Sequence, residues 1–343
     1  MPPPTTLPTI DISPFLHSSS TPAARAATAA ALAHACAASG FFYLTGHGIA
    51  DSTLAHVVEL ARRFFLESSD DEKARIARRG VSEGGDGARG YQRVGENVTL
   101  GRRDWHEAVD LYREFCEGEE EGFGGKEDGL LRGRNLWPRH PPELRDLLEA
   151  YVERVKGVGT AVVRAMGCAL GEGLEEVFVR ETGKSFWVLR MVGYPGLPEE
   201  GAEDDDGDGE EEGERDMGRG VSCGEHTDYG CITLLLADAT PNALQVRTRD
   251  GAWISADPVP GAFVVNIGDM MERWTNGLWK STPHRVVHRG SGYRVSVPFF
   301  FEPDFGARVR PLERCVQLTG GVERYSEVAY GEFLMRKIRG NFV

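Results

Sequence analysis

The sequence predicts an α+β protein: a double-stranded β-helix, or jelly roll, backed by helices and preceded by a helical N-terminal region. Three observations carry this. Two stretches in the first seventy residues keep helical spacing, and a third, longer one runs from Pro142 toward Leu170. From Phe186 onward the texture changes to short β-branched and aromatic runs separated by Gly, Pro and Asn. Several short strands with turn signals between them suit a double-sheet sandwich.

In order along the chain, Leu7–Ile12 is a short extended segment bounded by Pro8. Thr21-Pro22 supplies an N-cap with proline at the first helical position, and an Ala-rich helix runs from it to Ser39-Gly40. Phe41-Phe42-Tyr43-Leu44 reads as a strand stopped by Gly46 and Gly48. Asp51-Ser52 opens a second helix, with Leu54, Val57, Val58, Ala61, Phe64 and Phe65 on one face. Residues 81–102 read as loop. The helix from Pro142 buries Leu144, Leu148, Tyr151, Val155 and Val162 along one stripe, as a brace. Strands are expected at 186–194, 231–237, 243–247, 252–255, 262–267, 285–288 and 292–301, and a last helix over about 322–339. These elements group into an N-terminal helical region over 1–130, the brace over 131–183, the jelly roll over 184–304 and a C-terminal helical segment over 305–343.

The formal net charge of −14 is local. Residues 199–216 hold twelve acids and one Arg, and residues 117–129 hold six acids and one Lys. The other 312 residues carry about +2. The body is nearly neutral, with two acidic, glycine-rich loops, and the larger one, lying between Tyr194 and His226, is expected at or beside the pocket mouth as a solvated insertion. No clustered basic face suggests nucleic acid. No apolar run reaches the ~18 residues of a membrane span. Six scattered cysteines without a CxxC pair, and no secretory pattern at Met1-Pro2-Pro3-Pro4, point to a cytoplasmic protein with reduced thiols. A monomer is expected.

The chemistry concentrates in Gly224-Glu225-His226-Thr227-Asp228-Tyr229-Gly230. Residues i and i+2 of an extended segment share a face, so His226 and Asp228 can bind one ion. They form two thirds of the two-histidine, one-carboxylate facial triad used by non-haem Fe(II) sites. The third ligand must come from a distant strand, and spacing leaves His284 and His288 open. Ten residues beyond His284, Arg294 and Ser296 again share a face; a guanidinium fork with a hydroxyl two residues on suits the distal carboxylate of a small dicarboxylate. His47 and His56 read as scaffold histidines, and Cys223 and Cys231 as small buried side chains.

His226-Thr227-Asp228, His284-Arg285-Val286 and Arg294-Val295-Ser296 together resemble the signature of the Fe(II)- and 2-oxoglutarate-dependent dioxygenases, within these the isopenicillin N synthase-like branch. Asn266-Ile267-Gly268-Asp269, Asn276-Gly277, Ser39-Gly40-Phe41-Phe42 and Gly46-His47-Gly48 extend the resemblance over nearly the whole chain. It selects His284, the histidine followed by Arg-Val, as the third ligand. It implies an oxygenase that couples decarboxylation of 2-oxoglutarate to succinate with hydroxylation or desaturation of a small organic molecule. Fe(II) would be held by His226, Asp228 and His284, and 2-oxoglutarate by Arg294, Ser296 and Tyr194, with O2 as oxidant and ascorbate as a candidate reductant. Val192 stands where the family often has Asn. Phe300, Arg190, Val192, Tyr229 and Tyr91 are the substrate-side candidates. The texture around His226 is similar to fungal and plant dioxygenases and to thymine 7-hydroxylases, so a pyrimidine base is one candidate substrate, and a plant-type hormone, flavonoid or secondary metabolite another. The alternatives are an iron oxidase of the same branch that does not use 2-oxoglutarate, and a metal-binding jelly roll without catalysis.

Overall fold

The computed structural model describes residues 6–116, 129–197 and 221–341. The insertion 199–216 and residues 117–128 of the other acidic loop lie outside the described residues.

Twelve strands form two sheets that face each other. The larger has eight strands in the order Thr9–Asp11, Phe41–Thr45, Phe263–Ile267, Ile232–Ala237, Arg294–Phe301, Val188–Tyr194, Glu107–Tyr112 and Gly90–Gln92. Only the first pair is parallel; every other neighbour runs antiparallel. The smaller sheet has the order Trp253–Ser255, Leu244–Arg247, His284–Val286 and Cys223–His226. Between the sheets lies an apolar cluster that includes Phe41, Tyr43, Val192 and Val264 from one side and Leu244, Val246 and Val286 from the other. Such interdigitation of two inner faces is what holds a β-sandwich together.

The outer face of the large sheet is covered by helices. Pro22–Ala38 starts at Thr21, whose hydroxyl accepts from the Ala24 amide, as the Thr-Pro pair predicts. It ends where the Gly40 amide returns to the Ala35 carbonyl with φ at +70°. A side chain at Gly40 would be strained by that φ, and its Cβ would also fall 2.6 Å from the Lys280 carbonyl oxygen. Asp51–Glu67 buries Leu54, Val57, Leu60, Ala61, Phe64 and Phe65. The brace forms as Leu144–Leu170, followed by a separate helix, Leu174–Glu181. It lies so close to the large sheet that a Cβ on Gly159 would sit 2.6 Å from the Phe301 ring.

The N-terminal region is helical with strands Thr9–Asp11 and Phe41–Thr45 where the sequence places extended segments, but it differs in also contributing Gly90–Gln92, within the 81–102 stretch read as loop, and Glu107–Tyr112 to the large sheet. The last two are inconspicuous in sequence because the first is only three residues long and the second carries Glu107 and Asp110. Those acids are buried against Lys73, at 2.9 Å, and Arg190, at 3.0 Å. The strand Cys223–His226 is also unannounced, since none of its residues is β-branched or aromatic. At the C-terminus the helix spans Tyr330–Asn341, and residues 328–329 instead pair with 308–309.

The brace provides a direct test of packing. Gly159→Val should destabilise the protein by about 1–3 kcal/mol through overpacking against Phe301. Gly157→Ala, where a Cβ meets open space, should stabilise it by about 0.5–1 kcal/mol. Urea denaturation of the two variants reads both signs.

Candidate active site

Antiparallel pairing in the small sheet sets His284 directly opposite His226. Their ring centroids are 4.3 Å apart. Asp228, just past the end of the Cys223–His226 strand, brings Oδ1 to 3.8 Å from Nε2 of each histidine. All three donor atoms lie within 4.8 Å of one another.

Each ligand is oriented from behind. The His226 Nδ1 hydrogen-bonds the Gly224 carbonyl at 2.8 Å, and the His284 Nδ1 the Thr282 carbonyl at 3.1 Å. A carbonyl only accepts, so each Nδ1 carries the proton and each Nε2 presents a lone pair to the common centre. On Asp228, Oδ2 accepts from Thr233 Oγ1 and, at 2.7 Å, from Asn266 Nδ2, which leaves Oδ1 facing the histidines. This donor set, with its outer hydrogen bonds, fits a divalent transition metal. Burial tends to raise the Asp228 pKa, but the neighbouring imidazoles and the two hydrogen bonds hold it low. Burial followed by the charge of His226 pushes His284 down to about 4. His226 rises to about 10, because Cys223 and Asp228 beside it outweigh its burial. His288 lies beyond the strand, buried, with Nε2 2.6 Å from the Gly292 carbonyl.

A second polar cluster lies deeper in the sandwich. Arg294 pairs across the strands with Tyr194, and Ser296 with Val192. The guanidinium stacks 4.7 Å over the Tyr194 ring, and the Ser296 hydroxyl is within hydrogen-bonding reach of that phenol. Arg294 is 2% exposed, yet among the described residues nothing accepts from its Nε or Nη1. Buried donors left in this way are costly, and they fit a carboxylate.

Beside the triad a cavity of about 380 Å³ is lined in part by His226, Asp228, Tyr229, Phe300 and Arg190. Three of the five substrate-side candidates thus line one space. Val192 does not: it is buried among the apolar side chains between the sheets. Tyr91 does not either. It faces the helical layer, where its hydroxyl donates to Glu107 Oε2 at 2.5 Å. A three-residue strand gives no means of deciding from sequence which face that tyrosine takes.

Sequence reading missed Asn97, Asp104, His106, Asp110 and Glu302, all of which line the same cavity. Asp104-x-His106 has the same i, i+2 spacing as the metal pair, which was the available signal. With Cys223 these two gather donor atoms within 4.8 Å of one another. Asp104 is occupied: it accepts from the Gly224 amide at 2.8 Å and Thr99 Oγ1 at 2.7 Å. His106 bonds the Ser222 carbonyl through Nδ1 at 2.8 Å, and its buried Nε2 has no partner among the described residues. Burial, and then the positive charge of Arg190, push its pKa down to about 4, so it stays neutral and able to accept.

Two family models match the chain. One, the non-haem dioxygenase in morphine synthesis N-terminal model, covers residues 7–140, and the 2OG-Fe(II) oxygenase superfamily model covers 203–303. A relative from Oryza sativa subsp. japonica, homoarginine-6-hydroxylase 2-ODD-233, is 42% identical over 90% of this chain and 88% of its own length. The chain belongs to the 2OG-Fe(II) oxygenase superfamily. Homoarginine-6-hydroxylase 2-ODD-C23 of Glycine max is 41% identical over 98% of this chain and 97% of its own. Among solved structures, a full-length Neurospora crassa protein in complex with alpha-KG and thymine superimposes with a TM-score of 0.78 at 25% identity, covering 97% of this chain and 96% of that one. This member of the superfamily is therefore a Fe(II)- and 2-oxoglutarate-dependent oxygenase that hydroxylates a small molecule. The readings without 2-oxoglutarate or without catalysis find no support among the relatives. Among the described residues, no helix is long and apolar enough to cross a membrane.

The outer hydrogen bonds of Asp228 are expected to matter for metal retention. Asn266→Ala should weaken divalent-metal affinity by about 10–100-fold while the fold survives. Titration of the metal-free protein with Co(II), followed by absorption, measures it.

Proposed function

We propose that the superfamily activity resides in the residues named above and acts on a basic amino acid of the homoarginine type. His226, Asp228 and His284 hold Fe(II), and the observation that carries this is the convergence of two Nε2 lone pairs and Asp228 Oδ1 on one point. Arg294 and Ser296 hold the distal carboxylate of 2-oxoglutarate, which satisfies the guanidinium's unpartnered donors. Tyr194 flanks that carboxylate from the paired strand. When bound, iron and 2-oxoglutarate supply the oxygen-activating chemistry; O2 is the oxidant and ascorbate the candidate reductant. The polypeptide orients the two small molecules, excludes water and places one C–H bond.

The substrate reading rests on the lining of the cavity together with the relatives. Asp104, Asp110, Glu225 and Glu302 line it together with Arg190 and Lys337, a polar setting suited to a charged amino acid and not to a flavonoid. Arg190 and Asn97 provide donors for a carboxylate: Asn97 Nδ2 has no partner among the described residues, and its Oδ1 accepts from Arg190 Nη2 at 2.8 Å. His106 Nε2 provides an acceptor for an ammonium. A cationic amino acid matches all three. Two curated relatives above 40% identity are named as homoarginine-6-hydroxylases. Phe300 and Tyr229 contribute the apolar wall, Val192 acts through packing, and Tyr91 through packing and its hydrogen bond to Glu107. The N-terminal family match supports the isopenicillin N synthase-like branch. Six scattered cysteines without a CxxC pair suit a cytoplasmic protein, acting as a monomer.

Anaerobic addition of Fe(II) and 2-oxoglutarate should produce a weak visible charge-transfer band, and L-homoarginine should trigger succinate release well above that seen with thymine or phenolic acids. Release with thymine alone would replace this substrate class by a nucleobase. Asp228→Ala should abolish turnover. Arg294→Ala should raise the KM for 2-oxoglutarate at least about tenfold, because a bidentate charged contact is lost. Steady-state succinate assays check both variants.

A further inference from the structure

Four carboxylates line the cavity besides the metal ligand, and three have partners. Asp104 accepts from Gly224 and Thr99. Asp110 pairs with Arg190 and accepts from Gln92 at 2.6 Å. Glu225 pairs with Arg247 at 2.7 Å. Glu302 is the least held: it is 4% exposed, the Tyr330 hydroxyl stands beside its carboxyl, and no described residue donates to its Oε2. The cations of the cavity wall are engaged elsewhere, Arg190 with Asp110 and Lys337 with Asp269 at 3.7 Å. A buried carboxyl oxygen that no donor reaches is costly unless a ligand completes it. Its burial pushes its pKa up to about 8, against the opposing effect of the nearby Tyr330 hydroxyl.

Position matters as much as the missing partner. Glu302 lies one residue past the end of the Arg294–Phe301 strand and lines the same cavity as Phe300. It packs against Gly230, two residues after Asp228, where any Cβ would overlap its carboxylate. The register of Ser296 with Val192 and of Phe300 with Val188 brackets Arg190 opposite position 298. Glu302 is four residues further along, roughly 13 Å at ~3.3 Å per residue. An extended amino acid with four methylenes spans roughly 9 Å from carboxylate carbon to guanidinium carbon, over seven bonds of about 1.5 Å in zigzag. Contacts at both ends fill the remainder.

We infer that Glu302 is the seat for the cationic end of the substrate, opposite the Arg190–Asn97 end, and thereby a determinant of both specificity and the carbon attacked. With the cation held against the loop that carries Asp228, the methylene adjacent to it is the one brought to the metal. This deepens the substrate reading given above and rests on it.

The test separates the two. Calorimetry of the anaerobic Fe(II)–2-oxoglutarate enzyme with L-homoarginine and its neutral isostere L-homocitrulline should show at least tenfold tighter binding of the cation. Glu302→Gln should bring the two affinities within about twofold, with 2-oxoglutarate affinity and the visible band unchanged. Glu302→Asp, which keeps the charge, should retain the preference and lower kcat, and it serves if the Gln variant does not fold. Equal affinities in the wild type, or an undiminished preference in Glu302→Gln, would overturn the inference. Tight, charge-selective binding without succinate release would instead overturn the substrate reading and leave the seat standing.

Discussion

Everything in the site depends on one buried carboxylate. Asp228 stays ionised inside the sandwich because the imidazoles of His226 and His284 face one oxygen while Thr233 and Asn266 hold the other. Each partner comes from a different strand or its edge: Thr233 and Asn266 from adjacent strands of the large sheet, His284 and His226 from paired strands of the small one. A carboxylate so placed ties the two sheets together at the proposed metal centre. Loss of any of these strands would leave an unpaired charge in the interior.

The same logic recurs around the cavity with the sign reversed. Where the fold leaves a buried polar atom without a partner, a ligand is the natural complement. Arg294 has surplus donors and Glu302 a surplus acceptor, the first within the Arg294–Phe301 strand and the second just past its end, and we propose that the first meets the co-substrate and the second the substrate. Phe300 separates them and lines the cavity. In that proposal a single extended segment and the residue after it organise both small molecules relative to the metal, a positional task that a rigid strand performs better than a loop.

The brace helix and the N-terminal strands matter to the site indirectly. Glu107–Tyr112 pairs with Val188–Tyr194, so Asp110 lies opposite Arg190 and fixes its guanidinium. The region expected to be mostly helical therefore supplies one wall of the cavity. Its acids were legible as charges but not as buried partners, because burial of a charge depends on a cation brought from another strand. The catalytic set was more accessible. Arg294 and Ser296 keep the i, i+2 period of one strand, and His226 and Asp228 still converge although Asp228 lies just past its strand's end. Val192 obeyed the same period and still missed the cavity, because facing inward does not specify which part of the interior a side chain meets.

What the amino-acid sequence determined by itself was periodic and local: helix starts at Thr21 and Asp51, the brace stripe, the alternation of the strands, and the pairs that could share an ion or an anion. What only the tertiary structure decided was non-local. Strand register placed His284 opposite His226 and left His288 outside. Sheet order brought residues 90–112 beside the jelly roll. Partner counting showed which of several similar carboxylates is satisfied. Spacing along a chain constrains direction within one strand, whereas distance and hydrogen-bond completion depend on elements far apart in sequence.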